Sequence, residues 1–123
     1  MKDAAAGAML KEPRTRAIEF SSVSGGYRHV PVFQNMSFSI HEGAMVSILG
    51  PNGSGKTTLL RAATGLLDHV SGEVCLFGSE VRTLSAEKRA ALIGVVPQES
   101  HTPMAYTVGE IVMMGRTHAL SRW

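Results

Sequence analysis

The chain has 123 residues, enough for one domain with a modest core, and a small formal charge of +2. Apolar residues make up 44% and charged residues 18%, the balance of an ordinary globular protein. Its basic residues, among them Arg28, Arg61, Arg82, Arg89 and Arg116, are scattered and form no stripe interleaved with aromatics, which argues against nucleic acid as a partner.

No apolar run approaches the roughly eighteen residues of a membrane span, and the N-terminus lacks a signal-peptide core. Cys75 is the one cysteine, so no intrachain disulfide forms and a reducing cytosol suits the chain; it reads as a small buried strand residue. The five histidines show no metal-ligand spacing, which argues against a zinc site.

Residues 1–15, Ala-rich with Pro13, read as a loose tail. Ala17 to Val23 alternates loosely and predicts a strand, broken by Ser24-Gly25-Gly26. A second strand is predicted from about Val32 through Ile40, followed by a tight turn at His41-Glu42-Gly43. Together they suggest an antiparallel β-layer ahead of a parallel core. Ala44 to Leu49 is a short apolar run of strand length, bounded by Gly43 and Gly50. From Lys56 to about Leu67, good helix formers place Leu59, Leu60, Ala63, Leu66 and Leu67 on one face.

A break over Asp68 to Gly72 then leads to a strand at Glu73 to Phe77 and a short return at Glu80-Val81. Ser85 is placed to N-cap a helix through Ala91, with Glu87 favouring its dipole. Leu92 to Val96 is a further buried-strand candidate, stopped by Pro97, and a loop runs from Gln98 to Tyr106. Thr107-Val108-Gly109-Glu110 is a capping box opening a helix that Gly115 would end.

The segment Gly50-Pro51-Asn52-Gly53-Ser54-Gly55-Lys56-Thr57, continuing into Thr58, fits the phosphate-binding pattern G-x-x-x-x-G-K-[ST] between an expected strand and an expected helix. Its glycines let successive backbone N–H groups turn inward, and the new helix adds unpaired donors and its positive dipole end. Lys56 is expected to reach the β- and γ-phosphates and the Thr57 hydroxyl to ligate Mg²⁺.

These residues, with others in a characteristic order, resemble the N-terminal half of an ATP-binding cassette (ABC) ATPase from about residue 16 to 123. The matching pieces are Tyr27 ahead of the loop, Gly50 to Thr58 as Walker A, Ser71-Gly72-Glu73-Val74, Val95-Val96-Pro97-Gln98 as the Q-loop, Thr107 to Glu110, and Met114-Gly115-Arg116. The last segment is most similar to ATPases of importers for iron chelates, haem and cobalamin. The resemblance implies an α/β P-loop NTPase (RecA-like) core with an N-terminal antiparallel β-layer, truncated early in the helical subdomain. It implies ATP and Mg²⁺ as cofactors. Tyr27 would stack on adenine; Gln98 would contact Mg²⁺ and the attacking water. A membrane-spanning permease subunit would meet the Gln98–Tyr106 region, with Met113-Met114 near that face unless they serve the helix core. A second ATPase subunit would complete a dimer on the cytoplasmic face of the membrane.

The departures from the family pattern are large. No Leu-Ser-Gly-Gly signature occurs, and the only aspartates are Asp3 and Asp68, neither ending an apolar strand. Walker B, the catalytic glutamate and the switch histidine have no counterparts, so the sequence reads as a partial ABC ATPase domain over residues 16–123. The expected consequences are little or no turnover and a P-loop strand without its usual neighbour. Competing readings are a soluble ABC-type ATPase acting on nucleic acid or ribosomes, a non-catalytic nucleotide-binding remnant, and a small P-loop kinase, for which neither base nor lid is evident.

Overall fold

The computed structural model describes residues 15–28, 30–96, 98 and 106–116. Its elements are β1 (Arg16–Tyr27), β2 (Val30–His41), α1 (Lys56–Ala63), β3 (His69–Leu76), β4 (Ser79–Glu80), α2 (Ala86–Leu92) and α3 (Val108–Met114). The four strands form one antiparallel sheet in the order β2-β1-β3-β4. Strand β1 is thus paired on both sides, and α1 lies against β1 and β3.

The inward residues of β1 explain an irregularity in the sheet. Phe20 and Val23 are both buried although they are three apart, a spacing a regular strand of period two cannot deliver to one face. A bulge resolves this. Between Phe20↔Phe38 and Val23↔Met36, β1 carries one residue more than β2, and between Val23↔Met36 and Gly25↔Phe33 the extra residue is on β2. Ser22 (φ 49°) and Asn35 (φ 48°) take the left-handed conformations there. Each freed amide finds a serine hydroxyl: Ser22 N–H donates to Ser37 Oγ at 2.9 Å, and Asn35 N–H to Ser24 Oγ at 2.9 Å.

The same bulge faces β3, where Ser21↔Glu73 is followed by Ser24↔Ser71. Gly72 sits opposite, at φ 82°, and a Cβ there would lie 2.4 Å from the Ser22 carbonyl oxygen. Only glycine fits a backbone approach this close. The expected break at 68–72 is therefore corrected: β3 begins at His69, because Gly72 accommodates the bulged neighbour and does not end the strand. Likewise, β1 runs through Gly25-Gly26 to Tyr27 instead of stopping at Ser24. At Gly25 the space a Cβ would need is taken by the Phe33 ring, 2.7 Å away, and by Leu67, 2.9 Å away. The glycines admit core side chains.

The core consists of Phe20, Val23, Ala62, Leu67, Val74, Leu76 and Val81, and Phe20 stacks on Phe38 with ring centroids 4.5 Å apart. Arg82 fastens the far side of the sheet: its guanidinium donates to the Val70 and Gly72 carbonyls at 3.0 and 3.1 Å and to Glu80 Oε1 at 3.1 Å. Cys75 lies in β3 as expected but is only half-buried; burial first, then its hydrogen bond to the Glu73 carboxylate, pushes the thiol pKa up.

The predicted caps are present. Ser85 Oγ accepts from Lys88 N–H at the start of α2, and the Thr107–Glu110 capping box opens α3, whose C-cap is Gly115. Helix α1 is shorter than expected. Gly65, at φ 70°, accepts the chain reversal, and Leu66 N–H returns to the Arg61 carbonyl at 2.8 Å, so Leu67 reaches the core from outside the helix. The packed face carries buried Thr58 and Ala62 with partly buried Leu59 and Ala63, while Leu60 and Leu66 are exposed.

Two further expectations are corrected. Ala44–Leu49 and Leu92–Val96 were expected as buried strands, yet the first is without strand pairing and the second begins as the last residue of α2. Met45 is 99% exposed, Leu49 90% and Val96 95%. A strand is held by the ladder bonds of a neighbour, and among the described residues none pairs with these segments. Among the described residues the antiparallel layer is paired, and the runs expected to form a parallel core are not.

Candidate functional site

The candidate site is the loop Gly50–Gly55 and the start of α1. Gly53 (φ 80°) and Gly55 (φ 91°) both occupy the left-handed region, and Gly55 is the N-cap of the helix. No side chain caps that end, so the first helical N–H groups have no side-chain acceptor, the condition under which a helix start receives an anion. Gly55 also lies against β2, since a Cβ there would approach Val32 Cγ1 to 2.7 Å. The sheet thereby fixes where the loop meets the helix.

Lys56 is folded back over this loop. Its Nζ donates to the Gly50 carbonyl at 2.8 Å, the Pro51 carbonyl at 2.7 Å and Ser54 Oγ at 3.4 Å. The ammonium therefore lies across the mouth of the loop it is expected to share with a phosphate. Ser54 N–H closes the turn on the Pro51 carbonyl at 3.3 Å. Asn52 and Thr57 are exposed, so the Thr57 hydroxyl is accessible. Thr58 is buried at 7% exposure and anchors the helix in the fold.

Tyr27 ends β1 and is 41% exposed. Its hydroxyl accepts a hydrogen bond from Arg61 Nη1 at 3.0 Å, so the structure joins Tyr27 to the helix that begins at the loop. Arg61 escaped the sequence reading because an arginine in the last turn of a helix is ordinarily explained by the dipole. Gln98 is exposed in a bend, and among the described residues no hydrogen bond ties it to the loop. Of the expected permease-facing region Gln98–Tyr106, residues 99–105 lie outside the described residues. Met113 and Met114 are exposed on α3.

A left-handed glycine loop that opens a helix, with a lysine folded across it, defines a phosphate-binding-loop protein. The ABC transporter family matches residues 33–123, and the chain belongs to that family. It is 39% identical over 85 residues to a cobalamin import ATP-binding protein of Halobacterium salinarum, which covers 69% of this chain and 21% of the relative. It is 40% identical over 104 residues to a hemin import ATP-binding protein of Rhizobium johnstonii, covering 85% of this chain and 39% of the relative. Among solved structures, a bacterial Atm1-family ABC exporter with ATP bound matches with a TM-score of 0.63 at 30% identity, over 72% of this chain and 16% of the other. The chain thus has the ABC ATPase fold with an antiparallel N-terminal sheet, and spans well under half the length of these relatives.

Proposed function

We propose that this chain binds ATP with Mg²⁺, as the nucleotide-binding portion of an ABC importer ATPase. The observation that carries the reading is Lys56 lying across a loop whose glycines adopt left-handed conformations. An incoming β- or γ-phosphate replaces the Gly50 and Pro51 carbonyls as acceptor for the ammonium, exchanging neutral oxygens for a charged one. Backbone donors of the loop and of the α1 start surround the phosphate. Thr57 and Gln98 carry oxygens of the hard type that Mg²⁺ takes and would hold the ion together with phosphate and water. Bound Mg²⁺ neutralises phosphate charge. Tyr27 offers its ring to the adenine face.

The names of the cobalamin and hemin import relatives support a role in import of such a substrate. In this reading the chain works beneath a membrane permease and beside a second ATPase subunit. No described helix is long and apolar enough to cross a membrane.

Turnover is a different matter. Of the glutamates that could serve as a base, Glu73 accepts from Cys75, Glu80 pairs with Arg82, and Glu110 belongs to the α3 capping box. Glu87 lies in the first turn of α2, and Glu99 is outside the described residues. Because the sequence has no counterpart of the family's Walker B aspartate and adjoining catalytic glutamate, the reading is nucleotide binding without appreciable hydrolysis by this chain alone. Titration calorimetry with MgATP tests the binding, and a coupled phosphate-release assay tests the turnover. Absence of any MgATP binding overturns the first part. Steady turnover of about 0.1 per second or more that Lys56→Ala abolishes overturns the second.

A further inference from the structure

We propose that Arg61 is a positioning residue for Tyr27, holding its ring as the base-stacking surface and tying that surface to the phosphate loop. The inference deepens the nucleotide-binding reading and rests on it.

Tyr27 is the terminal residue of β1, immediately before Arg28, whose φ of 46° turns the chain toward β2. A ring at a strand end and 41% exposed has few neighbours to fix its rotation. Its polar restraint is the 3.0 Å bond that the hydroxyl accepts from Arg61 Nη1. Arg61 is held in turn by its helix. It follows Thr57 by four residues, so the two lie on the same side of α1 about one turn apart. Lys56 and Thr57, which face the phosphates, and Arg61, which holds the ring, therefore belong to one rigid eight-residue helix anchored through Thr58 and Ala62.

The geometry sets the separation between a phosphate site and an aromatic face by a single bond between helix and strand. A ligand with both a polyphosphate and a flat base profits from that separation; one with a polyphosphate alone does not. The Tyr27 hydroxyl, which stacking itself does not require, acquires a purpose as the acceptor of that bond.

The test is titration calorimetry of the full chain with MgATP and with Mg²⁺ and inorganic triphosphate, for wild type, Arg61→Ala, Arg61→Lys, Tyr27→Ala, Tyr27→Phe and the Arg61→Ala/Tyr27→Phe double variant. We expect Arg61→Ala and Tyr27→Phe each to weaken ATP by about three- to tenfold, the range of one modest hydrogen bond. Triphosphate affinity stays unchanged in both. The double variant is no weaker than the worse single one, because both changes delete the same bond. Arg61→Lys, which keeps a donor, recovers part of the loss. Equal losses for ATP and triphosphate in Arg61→Ala overturn the proposal, since they place Arg61 on the phosphates or on the fold. Additive losses in the double variant, or full ATP affinity in Arg61→Ala, also overturn it. If Tyr27→Ala leaves ATP binding intact, the stacking role fails first, and the inference falls with it. A wild-type chain that binds neither ligand overturns the nucleotide reading as a whole.

Discussion

Lys56 Nζ lies 2.7 Å from the Pro51 carbonyl oxygen, so the residue expected to bind phosphate is also a strap across its own loop. The two roles have opposite consequences for substitution. Removing the ammonium deletes the main charge on the phosphates and also frees the Gly50 and Pro51 carbonyls. Lys56→Ala is expected to weaken MgATP at least about tenfold, as the loss of a charge-assisted bond of roughly 1.5–3 kcal/mol requires. Both carbonyls are exposed to water, so stability should change little. Calorimetry with a parallel thermal melt checks both halves; equal affinity for the variant and wild type refutes the role.

Gly72→Ala is expected to destabilise the sheet by about 2 kcal/mol or more, because the new Cβ meets the Ser22 carbonyl at 2.4 Å in a left-handed backbone. Gly43→Ala is the matched control. Gly43 has φ 72° and open space around it, so only backbone strain of about 1 kcal/mol applies. Urea unfolding of the two variants measures the difference, and equal midpoints would show that the bulge yields to a side chain.

Glu110 accepts from the Thr107 backbone N–H at 2.7 Å and from its hydroxyl at 2.8 Å, and these bonds, the backbone one foremost, hold its pKa below the ordinary glutamate value. A lowered folded-state pKa means the carboxylate supports α3 at pH above the unfolded-state value. That support is lost as pH falls through the folded-state pKa. Thr107→Ala removes the hydroxyl and should move the Glu110 titration partway back up. Side-chain carbon shifts followed by NMR through acid pH give the comparison, and an unshifted wild-type titration contradicts the capping account.

Met45 and Val96 are nearly fully exposed apolar side chains on two segments without strand partners. Such segments offer free backbone groups and apolar surface to other molecules. Met45→Lys with Val96→Lys is expected to reduce light scattering at a given concentration while the melting temperature stays within about 2 °C, since neither side chain is in the core. A large drop in melting temperature would mean that these residues pack after all.

The local devices were legible because each rests on contacts within a few residues. The glycine spacing before Lys56, Ser85 as a cap, and the Thr107–Glu110 box all appear where their residue types placed them. What the chain does with Gly25 and Gly72 was not legible. Read locally a glycine breaks a strand, and only the approach of Phe33, Leu67 and the Ser22 carbonyl from elsewhere in the sequence makes it a requirement of the strand. The Arg61–Tyr27 bond spans 34 positions and could be seen only once β1 and α1 were packed together. Ala44–Leu49 carries the composition of a buried strand, but composition supplies side chains and not a neighbour. Strand pairing is a relation between two segments, so the sequence by itself determined which runs were fit to pair, and the tertiary structure alone decided that β1 pairs on both edges while, among the described residues, this run pairs on neither.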